Sequence, residues 1–277
     1  MRALEQIKQW PVGHAAAAVL TANGAASTAG DVDRVFPLAS VTKPLVAYAV
    51  LVAVEEGAIE LDQPAGPSGA TVRHLLAHAS GIAFDTTVVQ AEPGARRIYS
   101  SAGFETLAEF VAQQTGIAFP EYLREAVFEP LGMTASVLAG PAGHGARSTV
   151  ADLTRFAGEL LAPQLLSAPT HAEAISVQFP GLNGVLPGYG SQRPNDWGLG
   201  FEIRDGKSPH WTGASNSPRT YGHFGQSGTF LWVDPNVRLA CIALSDENFG
   251  DWARAAWPTF SDSVLAEAAR GHNTIGK

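Results

Sequence analysis

Ser40 and Lys43 are the residues whose types and spacing could carry chemistry. They stand three positions apart in FPLASVTKPLVAYAV, residues 36–50, at the start of an apolar segment that predicts a buried helix. This spacing places both side chains on one helix face, about one turn apart. A serine hydroxyl becomes a nucleophile when a base removes its proton, and a desolvated lysine can be that base. The free N–H groups of a helix N-terminus would also favour developing negative charge.

The same S-x-x-K tetrapeptide fits a second interpretation, in which Ser40 caps the helix and Lys43 is solvated. An ammonium group beside such an apolar segment is costly unless it is paired, hydrogen-bonded or neutralised. The two interpretations therefore differ in whether Lys43 is buried.

The elements that must position this pair come from both ends of the chain. A strand over 15–22 turns at Asn23-Gly24 into a short second strand, and a helix follows from Ser40 to Glu56. Apolar spacing predicts further helices over 71–81, 105–116, 119–133 and 149–162. After an irregular region at 163–222, with one strand at 197–203, come strands at 228–235 and 237–244 and a closing helix over 251–269.

This order predicts an α/β fold of the α+β type. One antiparallel sheet is built from both chain ends and flanked by helices, with a mostly helical region inserted. We assign residues 1–62 and 196–277 to a discontinuous sheet domain and residues 63–195 to the helical domain. The active site is expected at their interface.

Composition excludes several classes of partner. The chain has 277 residues and a net charge of −8 at pH 7, with no basic run beyond Arg96-Arg97, so we expect neither nucleic acid nor an anionic membrane as a partner. No apolar run reaches the ~18 residues of a membrane span. The start of the sequence shows no secretory signal pattern, and we expect a cytoplasmic protein unless an export signal precedes it. Cys241 is the only cysteine and is predicted to be a small buried hydrophobe.

Four segments carry a resemblance to a known family. They are FPLASVTK (36–43), HLLAHASGI (74–82), IYSSAGF (98–104) and GHFGQSGTFLWVDP (222–235), with EPLGM (129–133) as a further landmark. In their order and spacing the chain resembles the serine β-lactamase and penicillin-binding-protein superfamily. The similar branch contains class C β-lactamases, D-alanyl-D-alanine carboxypeptidases and related esterases.

The resemblance implies a role for each matching residue. Ser40 would be the acylated nucleophile and Lys43 its partner, while Tyr99 matches the tyrosine of the family's Y-x-N motif. Whether Lys43 or Tyr99 is the base stays open. The backbone N–H groups of Ser40 and Gln226 would form the oxyanion hole. No cofactor is implied.

The third family motif, usually K-T-G or H-T-G, corresponds to His223, Phe224 and Gly225 on a strand that edges the pocket. Ser101 replaces the asparagine of Y-x-N, which removes the carboxamide that would hold the acylamino group of a β-lactam. His223 is mostly neutral near pH 7, and Phe224 replaces a hydroxyl that helps to grip a substrate carboxylate.

These substitutions favour small esters or amides as the small-molecule substrate. Two alternatives stay open. One is a weak class C-like β-lactamase or D-amino-acid peptidase, and the other is a non-catalytic homologue that binds a ligand. The oligomeric state is not predicted.

Several other features are set aside or left open. His74 and His78 have the i, i+4 spacing of a metal pair, but no third ligand is evident and no metal is predicted. SDEN at 245–248 follows the third motif instead of preceding it and is interpreted as a loop. Three aromatic residues either pack in the core or line an apolar acyl-binding wall with Phe224: Trp197, Trp211 and Tyr221.

Overall fold

An antiparallel six-stranded sheet forms the centre of the protein. The computed structural model describes the backbone of residues 1–275 and the side chains of residues 1–270. The sheet has the order β2-β1-β11-β10-β9-β8. Its strands are β1 (Ala15–Thr21), β2 (Ala26–Ala29), β8 (Glu202–Ile203), β9 (Tyr221–Gly225), β10 (Thr229–Asp234) and β11 (Leu239–Ser245). Both ends of the chain therefore build one sheet, and the predicted fold class is confirmed. The domain boundaries stay a prediction.

Two cores cover the two faces of this sheet. Successive side chains of a strand point to opposite faces, and β1 shows this directly. Ala16, Ala18 and Leu20 belong to one hydrophobic cluster, and Ala17 and Val19 belong to the other. β1 and β11 are apolar almost throughout because both of their faces are buried.

Seven helices surround the sheet in the described part of the chain. They are α1 (Thr42–Glu55), α2 (Val72–Leu76), α3 (Ser101–Thr115), α4 (Phe119–Leu123), α5 (Val150–Leu161), α6 (Ala168–Ala174) and α7 (Asp251–Ile275). Short 3₁₀ helices occupy Arg2–Gln9 and Ala39–Val41, and a π-helical turn occupies Arg124–Phe128. The α1 helix packs in the first core and α7 in the second. No helix within residues 1–275 has the length and apolar character to cross a membrane.

Side-chain caps and a glycine mark the ends of α3 and α5. The Thr149 side chain accepts a hydrogen bond from the N–H of Asp152 at the start of α5, and the Ser100 side chain caps α3 in the same way. Gly116 ends α3 with φ +72°, in the left-handed region that glycine adopts freely. The α2 helix is shorter than predicted and ends before His78, whose φ of +55° interrupts it.

Two smaller sheets complete the fold. One has the order β3-β5-β4 and consists of β3 (Phe36–Pro37), β4 (Val137–Leu138) and β5 (Ala146–Ser148). The other is the hairpin of β6 (Gly184–Leu186) and β7 (Gly190–Gln192). The β3 strand leads directly into the segment that carries Ser40, so its pairing with β5 fixes where that segment begins.

The strand predicted for residues 197–203 is reduced to β8. In the segment before β8, Gly200 packs closely on α1. It has φ +85°, and a Cβ at this position would lie 2.1 Å from the Cβ of Ala47. An alternating apolar pattern predicts a strand from the side chains alone. Here the apolar residues Leu199 and Phe201 belong to the first core, and Gly200 packs on α1, without a strand.

A buried ionic cluster anchors the loop between β8 and β9. Glu202 lies 3.0 Å from the Nζ of Lys207 and 2.9 Å from the Nε2 of His210 through its Oε1 atom, and the Trp211 indole N–H donates to its Oε2 atom. Burial opposes ionisation of Glu202, but the charges of Lys207 and His210 hold its pKa below the usual range. The carboxylate is therefore the centre of this cluster.

We expect Glu202→Gln to lower the free energy of unfolding by about 3 kcal/mol near neutral pH, because it leaves the buried Lys207 ammonium without a counter-charge. Because folding lowers the pKa of Glu202, its stabilisation should diminish as the pH falls through the acid range. Urea unfolding of both proteins across pH measures this. Glu247→Gln, at an exposed carboxylate, is the control, and equal losses for both variants would contradict the prediction.

Candidate active site

A strained turn carries Ser40 into the sheet-facing end of α1. Ala39, the residue before it, has φ +46°, a left-handed conformation that costs a non-glycine residue about 1 to 2 kcal/mol. The Thr229 hydroxyl donates to the carbonyl oxygen of Leu38 at 2.8 Å, and the Ser227 hydroxyl donates to that of Pro37 at 2.7 Å. The β9–β10 turn therefore holds the backbone just ahead of Ser40.

Gly225 permits this close approach. A Cβ at this position would lie 2.3 Å from the Leu38 carbonyl oxygen and 2.5 Å from the Oγ1 of Thr229. Any larger residue would push the end of β9 away from Ser40. The next residue, Gln226, has a backbone N–H without an acceptor among the described residues, as an oxyanion donor requires.

Lys43 is completely buried, at 0% exposure. Its Nζ donates to the carbonyl oxygen of Gly143 at 2.8 Å, to the Oγ of Ser101 at 3.1 Å and to the Oγ of Ser40 at 3.3 Å. All three acceptors are neutral. Burial lowers the pKa of Lys43 to about 7, against the opposing charge of Glu105. Because its pKa is lowered, Lys43 loses its proton far more easily than an exposed lysine and can then act as a base.

Ser40 does not cap α1. The N-cap residue is Val41, and no side-chain hydrogen bond caps this helix. The Ser40 hydroxyl contacts Lys43 and Tyr99 instead. The interpretation as a helix cap with a solvated lysine is therefore wrong.

Tyr99 lies on the other side of Ser40. Its hydroxyl donates to the Ser40 Oγ at 2.6 Å and lies 3.5 Å from the Nε2 of His223. Burial raises the pKa of the Tyr99 phenol, and the hydrogen bond with Ser40 offsets only part of that rise. Tyr99 is therefore a neutral phenol near pH 7.

His223 is a neutral acceptor facing this phenol. Its Nδ1 lies 2.7 Å from the carbonyl oxygen of Phe224, so the ring proton sits on Nδ1 and the Nε2 lone pair faces Tyr99. Burial, together with the charge of Lys43, lowers the pKa of His223 to about 3. The Tyr99 hydroxyl has one proton, so it donates either to Ser40, as in this structure, or to the Nε2 of His223 after rotating towards it.

Aromatic rings fix the orientation of Tyr99. Its ring centroid lies 4.7 Å from that of His78, 5.7 Å from that of Trp197 and 5.8 Å from that of Phe84. His78 accepts a hydrogen bond from the backbone N–H of Ser100 through Nδ1. The sequence pattern marked the segment around His78 only as a landmark, and it gave no indication of Phe84.

His74 and His78 have separate environments. His74 contacts the Thr71 hydroxyl at 2.9 Å and stacks on Phe179, with centroids 4.3 Å apart. Among the residues with described positions, no group of three or more histidine, cysteine, aspartate or glutamate residues is arranged to hold a metal ion.

Ser101 and Phe224, which the sequence analysis assigned to substrate binding, do not lie together on one side of the site. The Ser101 hydroxyl accepts from Lys43 and is buried behind Ser40. The Phe224 ring is 7% exposed and lies in the second core, 4.8 Å from the ring of Phe249. It points there because His223, its neighbour in β9, takes the opposite face of the strand.

The three aromatic residues of the irregular region separate in the same way. Trp197 borders the site, with its ring centroid 5.3 Å from that of His223. Trp211 packs on Phe224 in the second core. Tyr221 packs in the first core, where its hydroxyl donates to the carbonyl oxygen of Leu160. Core packing therefore accounts for Trp211 and Tyr221.

Gly143 is a site residue that the sequence analysis missed. Its carbonyl oxygen is the nearest hydrogen-bond acceptor of Lys43. A Cβ on Gly143 would lie 2.8 Å from the Cβ of Ser101, so glycine lets the 139–146 loop reach the lysine. The only available signal was the density of glycine in GPAGHGA, residues 140–146.

Solved structures share this fold. A protein from Mycobacterium bovis, described as a beta-lactamase, is 62% identical and has a TM-score of 0.95, over 96% of this chain and 99% of that one. A mutant of simvastatin synthase from Aspergillus terreus is 18% identical with a TM-score of 0.79, over 96% of this chain and 93% of that one. EstCE1, described as a hydrolase with promiscuous acyltransferase activity, is 16% identical with a TM-score of 0.76, over 94% and 95% of the two chains. The last two similarities show the fold alone.

Curated relatives match over a shorter region. A protein of Escherichia coli O157:H7, provisionally named a D-alanyl-D-alanine carboxypeptidase, is 25% identical over 205 residues. The match covers 58% of this chain and 47% of that protein, so the chain spans about half the length of the curated relatives it matches. The sequence also matches the Beta-lactamase family over residues 11–266. The resemblance carried by the four motif segments is thereby confirmed, and the chain belongs to the Beta-lactamase family.

Proposed function

We propose that this member of a serine hydrolase superfamily cleaves small carboxylic esters or amides through an acyl-enzyme at Ser40. The observation that carries the proposal is the position of the Ser40 hydroxyl between a buried lysine of lowered pKa and a tyrosine hydroxyl. This geometry supports an activated nucleophile with a proton donor beside it.

Acylation begins when neutral Lys43 accepts the proton of Ser40 and the Oγ attacks the ester carbonyl carbon. The backbone N–H groups of Ser40 and Gln226 stabilise the oxyanion that forms. As the carbon–oxygen bond of the ester breaks, the proton held by Lys43 passes through the Tyr99 hydroxyl to the leaving alkoxide. In deacylation the roles reverse. A water molecule gives its proton through the Tyr99 hydroxyl to Lys43 and attacks the acyl carbon; the bond from that carbon to the Ser40 Oγ then breaks, and Lys43 returns the proton to Ser40 as the acid leaves.

Two features of the site support esters over β-lactams. Ser101 stands where the family motif has an asparagine, and its hydroxyl accepts a hydrogen bond from Lys43. The site therefore has no carboxamide at this position to bind the acylamino side chain of a β-lactam. His223 is neutral near pH 7 and has its Nδ1 proton bound to a backbone carbonyl, so it brings no positive charge to a substrate carboxylate. A small neutral ester requires neither group.

A weak β-lactamase or D-amino-acid peptidase is the second candidate. The similarity to the Mycobacterium bovis protein, at 62% identity, and the names of the curated relatives favour it. Nitrocefin hydrolysis as fast as ester turnover would establish this candidate, and inertness to every β-lactam would discard it.

Intact-mass spectrometry after brief exposure to a fluorophosphonate should show one adduct per chain, located on Ser40. Ser40→Ala should lose the adduct and reduce p-nitrophenyl butyrate turnover at least about a thousandfold, because the nucleophile is gone. Ser68→Ala, at an exposed loop serine, is the matched control and should behave as the parent. Unchanged turnover in Ser40→Ala would overturn the proposal, and an unlabelled parent protein would favour a non-catalytic binding role.

The pH dependence of labelling should identify the base. With Lys43 as the base, the second-order rate of fluorophosphonate labelling should rise with pH as Lys43 loses its proton, with a midpoint at about 7, and then level off. A rate that keeps rising beyond about pH 9 would assign the base to the Tyr99 phenolate instead. Samples returned to neutral pH before assay control for unfolding.

Gly225→Ala should lower kcat for ester hydrolysis about a hundredfold, because the added Cβ displaces β9 from the segment that carries Ser40. Gly206→Ala is the matched control, since a Cβ there meets nothing within 4 Å. Circular dichroism should show folded protein in both cases. Equal kcat values for the two variants would show that this close approach does not position the nucleophile.

A further inference from the structure

A cleft of about 490 Å³ opens beside Tyr99, between the 82–98 segment and the β6–β7 hairpin. Four apolar side chains contribute to its lining: Phe84, Ile98, Val185 and Pro187. Carboxylates are absent from the lining, and its buried arginine, Arg97, donates its N–H groups to backbone carbonyls. Arg96 lies at the exposed rim. The cleft therefore offers mainly apolar surface.

This apolar surface is unusually open to solvent. Phe84 is 54% exposed and Val185 is 60% exposed. Val88 and Val89, in the same 82–98 segment as Phe84, are also more than half exposed. Water contact with large apolar groups is unfavourable, and an apolar ligand that covers them gains free energy in proportion to the area buried. Clustered exposure of this kind marks a binding surface.

The cleft adjoins the reacting centre at Tyr99, which is part of its lining. The Phe84 ring stacks on the Tyr99 ring, and the hydroxyl of the same tyrosine contacts the Oγ of Ser40. A chain attached to Ser40 that runs along the Tyr99 ring therefore enters the cleft. The alcohol departs after acylation, whereas the acyl group stays for both half-reactions, so only the acyl part can use this surface in each step.

We propose that the cleft binds the acyl chain of the substrate, and that the preferred substrates are esters of unbranched apolar acids with chains longer than acetate and butyrate. This inference rests on the proposed function and names its substrate class. Phe84 and Val185 are the specificity-determining residues.

The test compares kcat/KM for p-nitrophenyl acetate, butyrate, hexanoate and octanoate. In the parent protein, kcat/KM should rise up to about threefold per added CH₂ as the chain fills the cleft. Val185→Ser should lower the ratio of kcat/KM for octanoate to kcat/KM for acetate about fivefold, because the longer chain covers more of the cleft lining. Val237→Ser, at an exposed valine of the β10–β11 turn, is the matched control and should leave the whole series unchanged.

Equal kcat/KM values across the chain-length series, with Val185→Ser indistinguishable from Val237→Ser, would overturn this inference. Acetate turnover and labelling of Ser40 would still support the proposed function in that case. A preference seen only in a series of n-alkyl acetates would place the alcohol in the cleft and overturn the acyl assignment. If no ester is turned over, calorimetric binding of octanoate to Ser40→Ala decides. Saturable binding that adding Val185→Ser weakens about fivefold supports the cleft assignment, and no binding, or binding that Val185→Ser leaves unchanged, overturns it.

Discussion

The burial of the Lys43 ammonium among neutral oxygens is the interaction on which the site depends. No carboxylate makes direct contact with Lys43 among the described residues, and the positive end of the α1 dipole lies beside it. Desolvation and the helix dipole both disfavour the charged form, while the oxygens of Ser40, Ser101 and Gly143 and the Tyr99 ring solvate it partly. The balance leaves Lys43 close to the point at which it can exchange a proton at neutral pH.

The environment of the Lys43 Nζ atom is built from elements that are distant in sequence. Ser101 comes from the first turn of α3 and Gly143 from the 139–146 loop, and the Ser40 segment is held by the β9–β10 turn through Thr229. β9 links this arrangement to the rest of the protein, because its side chains alternate between faces. His223 faces Tyr99, and its neighbour Phe224 anchors the aromatic second core. The same strand therefore stabilises the fold and presents the third motif.

The fold alone does not decide the substrate. A structure described as a simvastatin synthase and one described as a hydrolase with promiscuous acyltransferase activity share it at 18% and 16% identity, so specificity must come from particular side chains. The proposed preference for an uncharged ester rests on three such features: the neutral imidazole of His223, the engagement of Ser101 by Lys43 and the exposed apolar cleft.

Much of the fold followed from local patterns. The turn at Asn23-Gly24 is present, with Gly24 at φ +83°, and α1 begins within two residues of the predicted start. These features depend on neighbouring residues, whose conformational preferences and apolar spacing can be read along the chain. The motif segments likewise identified Ser40, Lys43 and Tyr99, which the structure brings together.

Other features required the tertiary structure. The pattern at 197–203 predicted a longer strand because it contains no information about Gly200 packing on Ala47. No local pattern predicted three further features: the side of the sheet on which the Phe224 ring lies, the contact of the Gly143 carbonyl with Lys43, and the stacking of Phe84 on Tyr99. The contacts of Lys43 with Ser101 and Gly143 join residues 58 and 100 positions apart. The sequence by itself determined which groups are present and which elements carry them. Only the folded chain decided the pKa of Lys43, because desolvation depends on every residue that packs around it.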